Sequence, residues 1–256
     1  MISLRNIDKT FIQPGGDRTH ALRNVTLNIA EGEWVCVVGT NGSGKSSLFG
    51  ALAGHFIPDS GTVSINDKDV TKLPEYRRAL LVGRVFQDPF RGTCPTLTVM
   101  ENLRLAHLRG RRKMLFIGLN RRMRSEYCEH LAHLKMGLEN RANAQVGTLS
   151  GGQRQALTLL MATISRPQIL LLDEHTAALD PSAAERILEL TNNIVRENHL
   201  TTLMVTHSPR QALELGDRTV MLHHGQIVQD WQGTMRQEKT SQDLLDAFAE
   251  LVFESV

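Results

Sequence analysis

The chain has 256 residues, 41% hydrophobic and 22% charged, which suits an ordinary globular protein with a sizeable core. A formal net charge of +2 gives no argument for a nucleic-acid partner, and Cys36, Cys94 and Cys128 form no CxxC pair for a disulfide framework or zinc site. No apolar run reaches the roughly 18 residues that cross a bilayer, and the opening "MISLRNIDKTF" has no secretion-signal core.

In chain order, "ALRNVTLNIA" alternates Leu22, Val25, Leu27 and Ile29 imperfectly, so the first thirty residues are predicted to be extended, closing at Glu31–Gly32–Glu33. Trp34–Val38 reads as a buried strand, and a glycine-rich loop and a helix over Ser46–Leu52 follow it. "SGTVSINDKDV" reads as a hairpin with Val63 and Ile65 on one face. Strand signals then vanish. Leu97–Leu108 and Ser125–Met136 carry helical apolar spacing, and around them lie Arg104, Arg109, Arg111, Arg112, Lys113, Arg121, Arg122 and Arg124. Strands return at Ile169–Leu172, Thr202–Thr206 and Arg218–Leu222, alternating with helices at Ala183–Glu197 and Gln211–Leu215. A last amphipathic helix is expected near Leu244–Val252, within about 241–253. The alternation predicts a single domain over 1–256, a mainly parallel sheet wrapped by helices with a helical insert at about 89–160.

Gly39–Ser46, "GTNGSGKS", fits GxxxxGK[ST] after an apolar strand and at a helix start. Such a loop turns the backbone N–H groups of Gly39, Thr40, Asn41, Gly42, Ser43 and Gly44 into one cavity, with Ser47 next in the helix. Lys45 brings positive charge to the β- and γ-phosphates, and Ser46 offers a hydroxyl to Mg²⁺. A glycine-rich turn with an incidental lysine is the competing reading, and the strand context argues against it. "ILLLDE" at Ile169–Glu174 places carboxylates at the end of a buried strand, where open parallel sheets bind ligands. Asp173 suits Mg²⁺, and Glu174 can polarise an attacking water as general base. His207 in "LMVTHS" ends another apolar strand, whereas Gln87 in "VFQDP" reads by itself as a turn residue.

A second bare helix start lies in "GTLSGGQRQALTLL" at Gly147–Leu160. Ser150 is a plausible N-cap, Gly151 and Gly152 permit close approach, and Gln153 begins a run of helix formers. On these residues alone, a second phosphate contact and a plain glycine-containing loop both stand.

These motifs, in this order, resemble the ATP-binding subunits of ABC transporters over nearly the whole chain: Walker A at Gly39–Ser47, Q-loop Gln87, signature "LSGGQ" at 149–153, Walker B "ILLLDE", D-loop "ALD" ending at Asp180, and switch histidine His207. The resemblance implies an α/β fold with a P-loop NTPase (RecA-like) parallel sheet core, an N-terminal antiparallel β subdomain and an α-helical ABC subdomain insert. It implies ATP and Mg²⁺ as ligands, Glu174, His207 and Gln87 as catalytic residues, Ser46, Gln87 and Asp173 at the metal, and Phe11 against adenine. It further implies a head-to-tail pair of ATP-binding subunits, expected to be a homodimer, with each ATP between one chain's Walker A and the other's signature helix. The partner would be a separate integral membrane permease, with this chain peripheral on the cytoplasmic side of the inner membrane.

The run "GQRQALTLLMATISRPQILLLDEHTAALDP" with the basic insert looks most like importer subunits whose permeases are of the branched-chain amino-acid type, which implies an extracytoplasmic solute-binding protein. An exporter subunit and a soluble, non-transport ABC ATPase are the alternatives. One departure from the family pattern is His175, where proline is usual. Either it packs and hydrogen-bonds locally, or it lends hydrolysis an unusual pH dependence between about 5 and 8. The basic segment, with "MLFIGL" at Met114–Leu119 in its middle, reads as a solvated face or as a surface for lipid phosphates and acidic permease loops. His223 and His224 read as a turn, and Cys36 as a small core residue.

Overall fold

The computed structural model describes residues 1–13, 15–109 and 118–253. Its elements are β1 (Ile2–Ile12), β2 (Arg18–Ile29), β3 (Trp34–Gly39), α1 (Lys45–Ala53), β4 (Ser60–Ile65), β5 (Lys68–Asp69), α2 (Glu75–Arg78) and β6 (Val82–Val85). Then come α3 (Val99–His107), α4 (Arg121–His133), α5 (Gly151–Thr163), β7 (Ile169–Asp173), α6 (Pro181–Glu197), β8 (Thr202–Val205) and α7 (Pro209–Glu214). β9 (Arg218–His223), β10 (Gln226–Gln232), α8 (Gly233–Gln237) and α9 (Ser241–Phe253) complete the order.

One sheet, in the order β2-β1-β4-β5, is antiparallel; the other runs β10-β9-β3-β8-β7-β6, parallel except for β10. β3 shows why the second sheet is central. Val35 and Val37 pack into a core with β1, β2 and α1, while Trp34, Cys36 and Val38 pack into another with α5, α6 and α9. A strand covered on both faces must be apolar at every position, and all six of its residues are buried. Burial also pushes the Cys36 thiol up to about 12, so it behaves as a core residue. A third cluster, with Val99, Leu103, Tyr127, Leu131 and Leu157, makes a separate core for the helical insert.

The expected strands and helices are present, with differences that have local causes. β6 carries no strand signal because half of it is Gly83 and Arg84. Gly83 is required there: a Cβ would sit 2.6 Å from the Ala162 carbonyl oxygen. α4 begins before the expected Ser125 because the Asn120 side chain caps the Met123 N–H at 2.8 Å. The C-terminal region holds α8 as well as the expected single helix. His224 (φ 44°) and Gly225 (φ 80°) form the tight turn between β9 and β10, whereas His223, also expected in the turn, ends β9 opposite Gln226. Among the basic segment, Arg111, Arg112, Lys113 and Met114–Ile117 lie outside the described residues.

Candidate active site

The carboxyl edge of the parallel sheet collects the chemistry. Val37 and Asp173 both stand opposite Val205, so β7 and β8 end level while β3 runs two residues further to Gly39, and Val85 opposite Leu172 puts Gln87 just past the end of the adjoining strand. Backbone bonds from Thr206 to Val37 (3.2 Å) and from Glu174 to Val205 (3.1 Å) carry the alignment beyond the strands.

Gly39 ends β3 where a Cβ would lie 2.4 Å from the Leu222 carbonyl oxygen. Gly44, at φ 107°, turns the chain into α1 in a conformation that favours glycine, and no side chain caps the helix. The first amides of α1 are therefore not claimed by a capping side chain. The β9–β10 turn braces the loop: Gly225 N–H donates to Ser43 O at 2.9 Å, and Arg23 N–H donates to Gly225 O at 2.8 Å. Lys45 is buried, with Nζ donating to Gly39 O and Thr40 O at 2.8 Å each, which leaves one ammonium proton for another acceptor. Burial pulls its pKa below the ordinary lysine value, and the Glu174 and Asp173 carboxylates push back. Asn41, Gly42 and Ser46 are exposed, and Thr40 and Ser47 are half-buried.

Asp173 and Glu174 diverge at the end of β7. Asp173 Oδ2 accepts from Arg84 Nη2 at 2.7 Å. Glu174 adopts φ 45°, a strained conformation for a residue with a Cβ that costs about 1–3 kcal/mol. Its Oε1 lies 2.6 Å from His207 Nε2, so the two residues form one unit across β7 and β8. A cavity of about 210 Å³ beside them is also lined by Thr206, Ser208 and Gln211. The Thr206 hydroxyl donates to Gln211 Oε1 at 2.7 Å, and Ser208 caps α7, which fixes the loop bearing His207.

His175 also borders this cavity, yet its ring bonds toward α6. It is buried, its Nε2 lies 3.0 Å from Thr191 Oγ1, and that hydroxyl donates to Ile187 O at 2.7 Å. Burial drives its pKa down to about 4, so the imidazole is neutral throughout pH 5–8. Of the two readings of His175, the geometry favours local packing, because the ring is desolvated and bonded to Thr191 with no carboxylate against it.

Other expected residues have local duties. Asp180 caps α6, accepting from Ala183 N–H at 3.0 Å. Ser150 and Gln153 form a capping box on α5, with bonds of 3.2 and 3.3 Å, and Arg141 Nη1 donates to Gln153 Oε1 at 3.1 Å. Gly151 is exposed, whereas Gly152 is buried, with space for a Cβ only 3.3 Å from Ala183 Cβ. Its bareness serves packing of α5 on α6, a role not foreseen from the sequence. Among the described residues, no hydrogen bond or ion pair joins 150–153 to 39–47. Phe11, 38% exposed, meets Phe56 edge-on at 5.2 Å with Lys9 Nζ 5.6 Å from its ring centroid, so one face is already used. Gln87 is exposed past β6. Sequence reasoning missed Arg84, because its strand carries no signal of its own.

A glycine-rich loop, an acidic strand end and a histidine at one edge of a parallel sheet define the P-loop nucleoside-triphosphatase fold. Residues 22–177 match the family model described as ABC transporter. The chain belongs to the ABC transporter family, as an ATP-binding subunit. It is 42% identical over 249 residues, 97% of this chain and 98% of the relative, to the tyrosine transport ATP-binding protein of Clostridioides difficile. It is 32% identical over 237 residues to the methionine import ATP-binding protein MetN 1 of Bacillus thuringiensis, covering 90% of this chain and 66% of that one. Among solved structures, the ATP-binding cassette MJ0796 of Methanocaldococcus jannaschii, a dimer bound to ADP and Pi, superposes with TM-score 0.77 at 32% identity, covering 91% of this chain and 98% of that chain. The names of these relatives give no support to the expected pairing with a branched-chain amino-acid-type permease.

Proposed function

We propose that this chain hydrolyses ATP to drive a separate membrane permease that imports an amino-acid-class solute. The observation that carries the reading is the convergence of Lys45, Asp173, Glu174 and His207 on one sheet edge, with Glu174 and His207 2.6 Å apart. In this reading the Gly39–Ser47 loop and Lys45 bind the phosphates, and Phe11 offers its remaining open face to adenine. Gln87 lies toward the γ-phosphate and its metal. Glu174 orients the attacking water and takes its proton, while His207 Nε2 donates to Glu174 Oε1 and holds that carboxylate in place. The donors fit Mg²⁺: the exposed Ser46 hydroxyl and an Asp173 carboxylate are hard oxygen ligands. Mg²⁺ commonly takes one or two carboxylates together with phosphates. When bound, Mg²⁺ supplies charge neutralisation of the phosphates.

That no hydrogen bond or ion pair joins 150–153 to the phosphate loop among the described residues favours a site completed by a second copy, arranged head to tail. The import names of relatives support a permease and an extracytoplasmic solute-binding protein, with the chain peripheral on the cytoplasmic side. The likeness of the 152–181 run, together with the basic insert, to branched-chain-type importer subunits favours a permease of that architecture. Affinity purification from solubilised membranes, with mass spectrometry of co-purifying proteins, tests the reading. A permease and a solute-binding protein are expected. A permease alone overturns import, and no membrane partner overturns transport.

A further inference from the structure

Arg84 is the charged residue of β6, and its guanidinium is fastened on several sides. Nη2 donates to Asp173 Oδ2 at 2.7 Å, Nη1 lies against the His55 ring, 3.1 Å from Nε2 and 3.3 Å from Nδ1, and the guanidinium carbon sits 4.6 Å from the centroid of the Phe86 ring. His55 Nε2 also lies 2.9 Å from Glu75 Oε1, so the carboxylate holds the ring beside the guanidinium. Groups beyond α1, on α2 and beside β6 thus hold one cation against one carboxylate, with side chains only 15% and 19% exposed.

The charge balance at this edge gives the arrangement a consequence. Asp173 and Glu174 bring two negative charges to a place that must admit a polyphosphate, and Lys45 answers one of them. Arg84 answers the other. A nucleotide carrying its metal brings compensating charge with it, whereas one without metal meets Asp173 directly. Repulsion between an uncompensated carboxylate and phosphate in a partly buried site is strong. We propose that Arg84 is a positioning residue, the resident counter-charge of Asp173, which lowers the dependence of nucleotide binding on divalent metal. It does so by holding Oδ2 of a carboxylate whose other oxygen it leaves for the metal. Mutating such outer partners of metal ligands typically costs about 10–100-fold in metal affinity or activity. This inference rests on the nucleotide site proposed above.

The test titrates a fluorescent ATP analogue against the full chain in excess EDTA and again in saturating Mg²⁺, and reads the ratio of the two Kd values. Arg84→Gln is expected to raise that ratio about tenfold, with Arg84→Lys returning it toward the wild-type value. In an Asp173→Asn background, Arg84→Gln should leave the ratio nearly unchanged, because the charge it balances is gone. His55→Ala, which keeps Arg84 but removes its lateral support, should move the ratio the same way by less, and serves if Arg84→Gln does not fold. An unchanged ratio, equal weakening under both conditions, or an effect that persists with Asp173→Asn overturns the proposal. Wild-type protein that fails to bind the analogue with Mg²⁺ overturns the underlying site instead.

Discussion

The two glycine-bare helix starts, Gly39–Lys45 into α1 and Ser150–Gln153 into α5, look alike as strings and differ in physics. The first opens at Gly44 in the left-handed region, lacks a capping side chain and encloses a buried lysine. The second opens at Ser150 in an extended conformation, with a complete capping box. It presents an exposed Gly151, and its Gly152 is spent on helix packing. The first leaves its amides uncapped around a buried ammonium group, which suits an anion. The second is a finished, stable helix end whose outer surface is left bare, which suits docking onto something held elsewhere.

Substitutions can break or sharpen that contrast. The largest effect is expected at the chemistry beside the first helix start: Glu174→Gln should slow steady-state ATP hydrolysis by about 10²–10⁴-fold while ATP binding persists. Lys45→Met should weaken ATP binding by about 10²-fold, read by analogue titration, since it removes a buried charged donor. Gly39→Ala and Gly151→Ala separate the two starts by stability. The first forces a Cβ to 2.4 Å from a backbone oxygen and should lower unfolding free energy by about 1–3 kcal/mol in urea melts. The second meets only the flexible Leu179 side chain at 3.3 Å and should leave stability within about 0.5 kcal/mol.

His175 gives a smaller and pH-dependent effect. Its folded pKa of about 4 lies below the ordinary 6.5, so the unfolded chain binds the extra proton between those values. The resulting stability is complete above about pH 6.5, falls by about 2 kcal/mol by pH 5, and continues to fall through the folded pKa. Denaturant melts across that range should show a shallower pH slope in His175→Pro. The hydrolysis profile of that variant between about pH 6.5 and 8 should keep the wild-type shape, because the neutral imidazole does not titrate there.

What was legible in the sequence is what is contiguous in it. Gly39–Ser46, Ile169–Glu174 and Ser150–Gln153 each carry their spacing within a few residues, and the alternation of apolar strands and helices announced the parallel sheet. Contacts between distant segments were not legible. The Arg84–Asp173 pair spans 89 positions, and the meeting of Glu174 with His207 depends on the β7–β8 register. Arg84 was hidden further because a four-residue strand containing glycine and arginine has no apolar period. The packing role of Gly152 was not legible because packing and ligand approach call for the same missing side chain.

The measurement that bears most directly on the account is sedimentation of Glu174→Gln with and without ATP, beside the double variant Glu174→Gln/Gly151→Asp. The account predicts a monomer without nucleotide and a dimer with ATP. It predicts that the double variant binds ATP through its intact phosphate loop yet stays monomeric. ATP bound with no change in mass, or a dimer indifferent to Gly151→Asp, would contradict a nucleotide site shared between two copies.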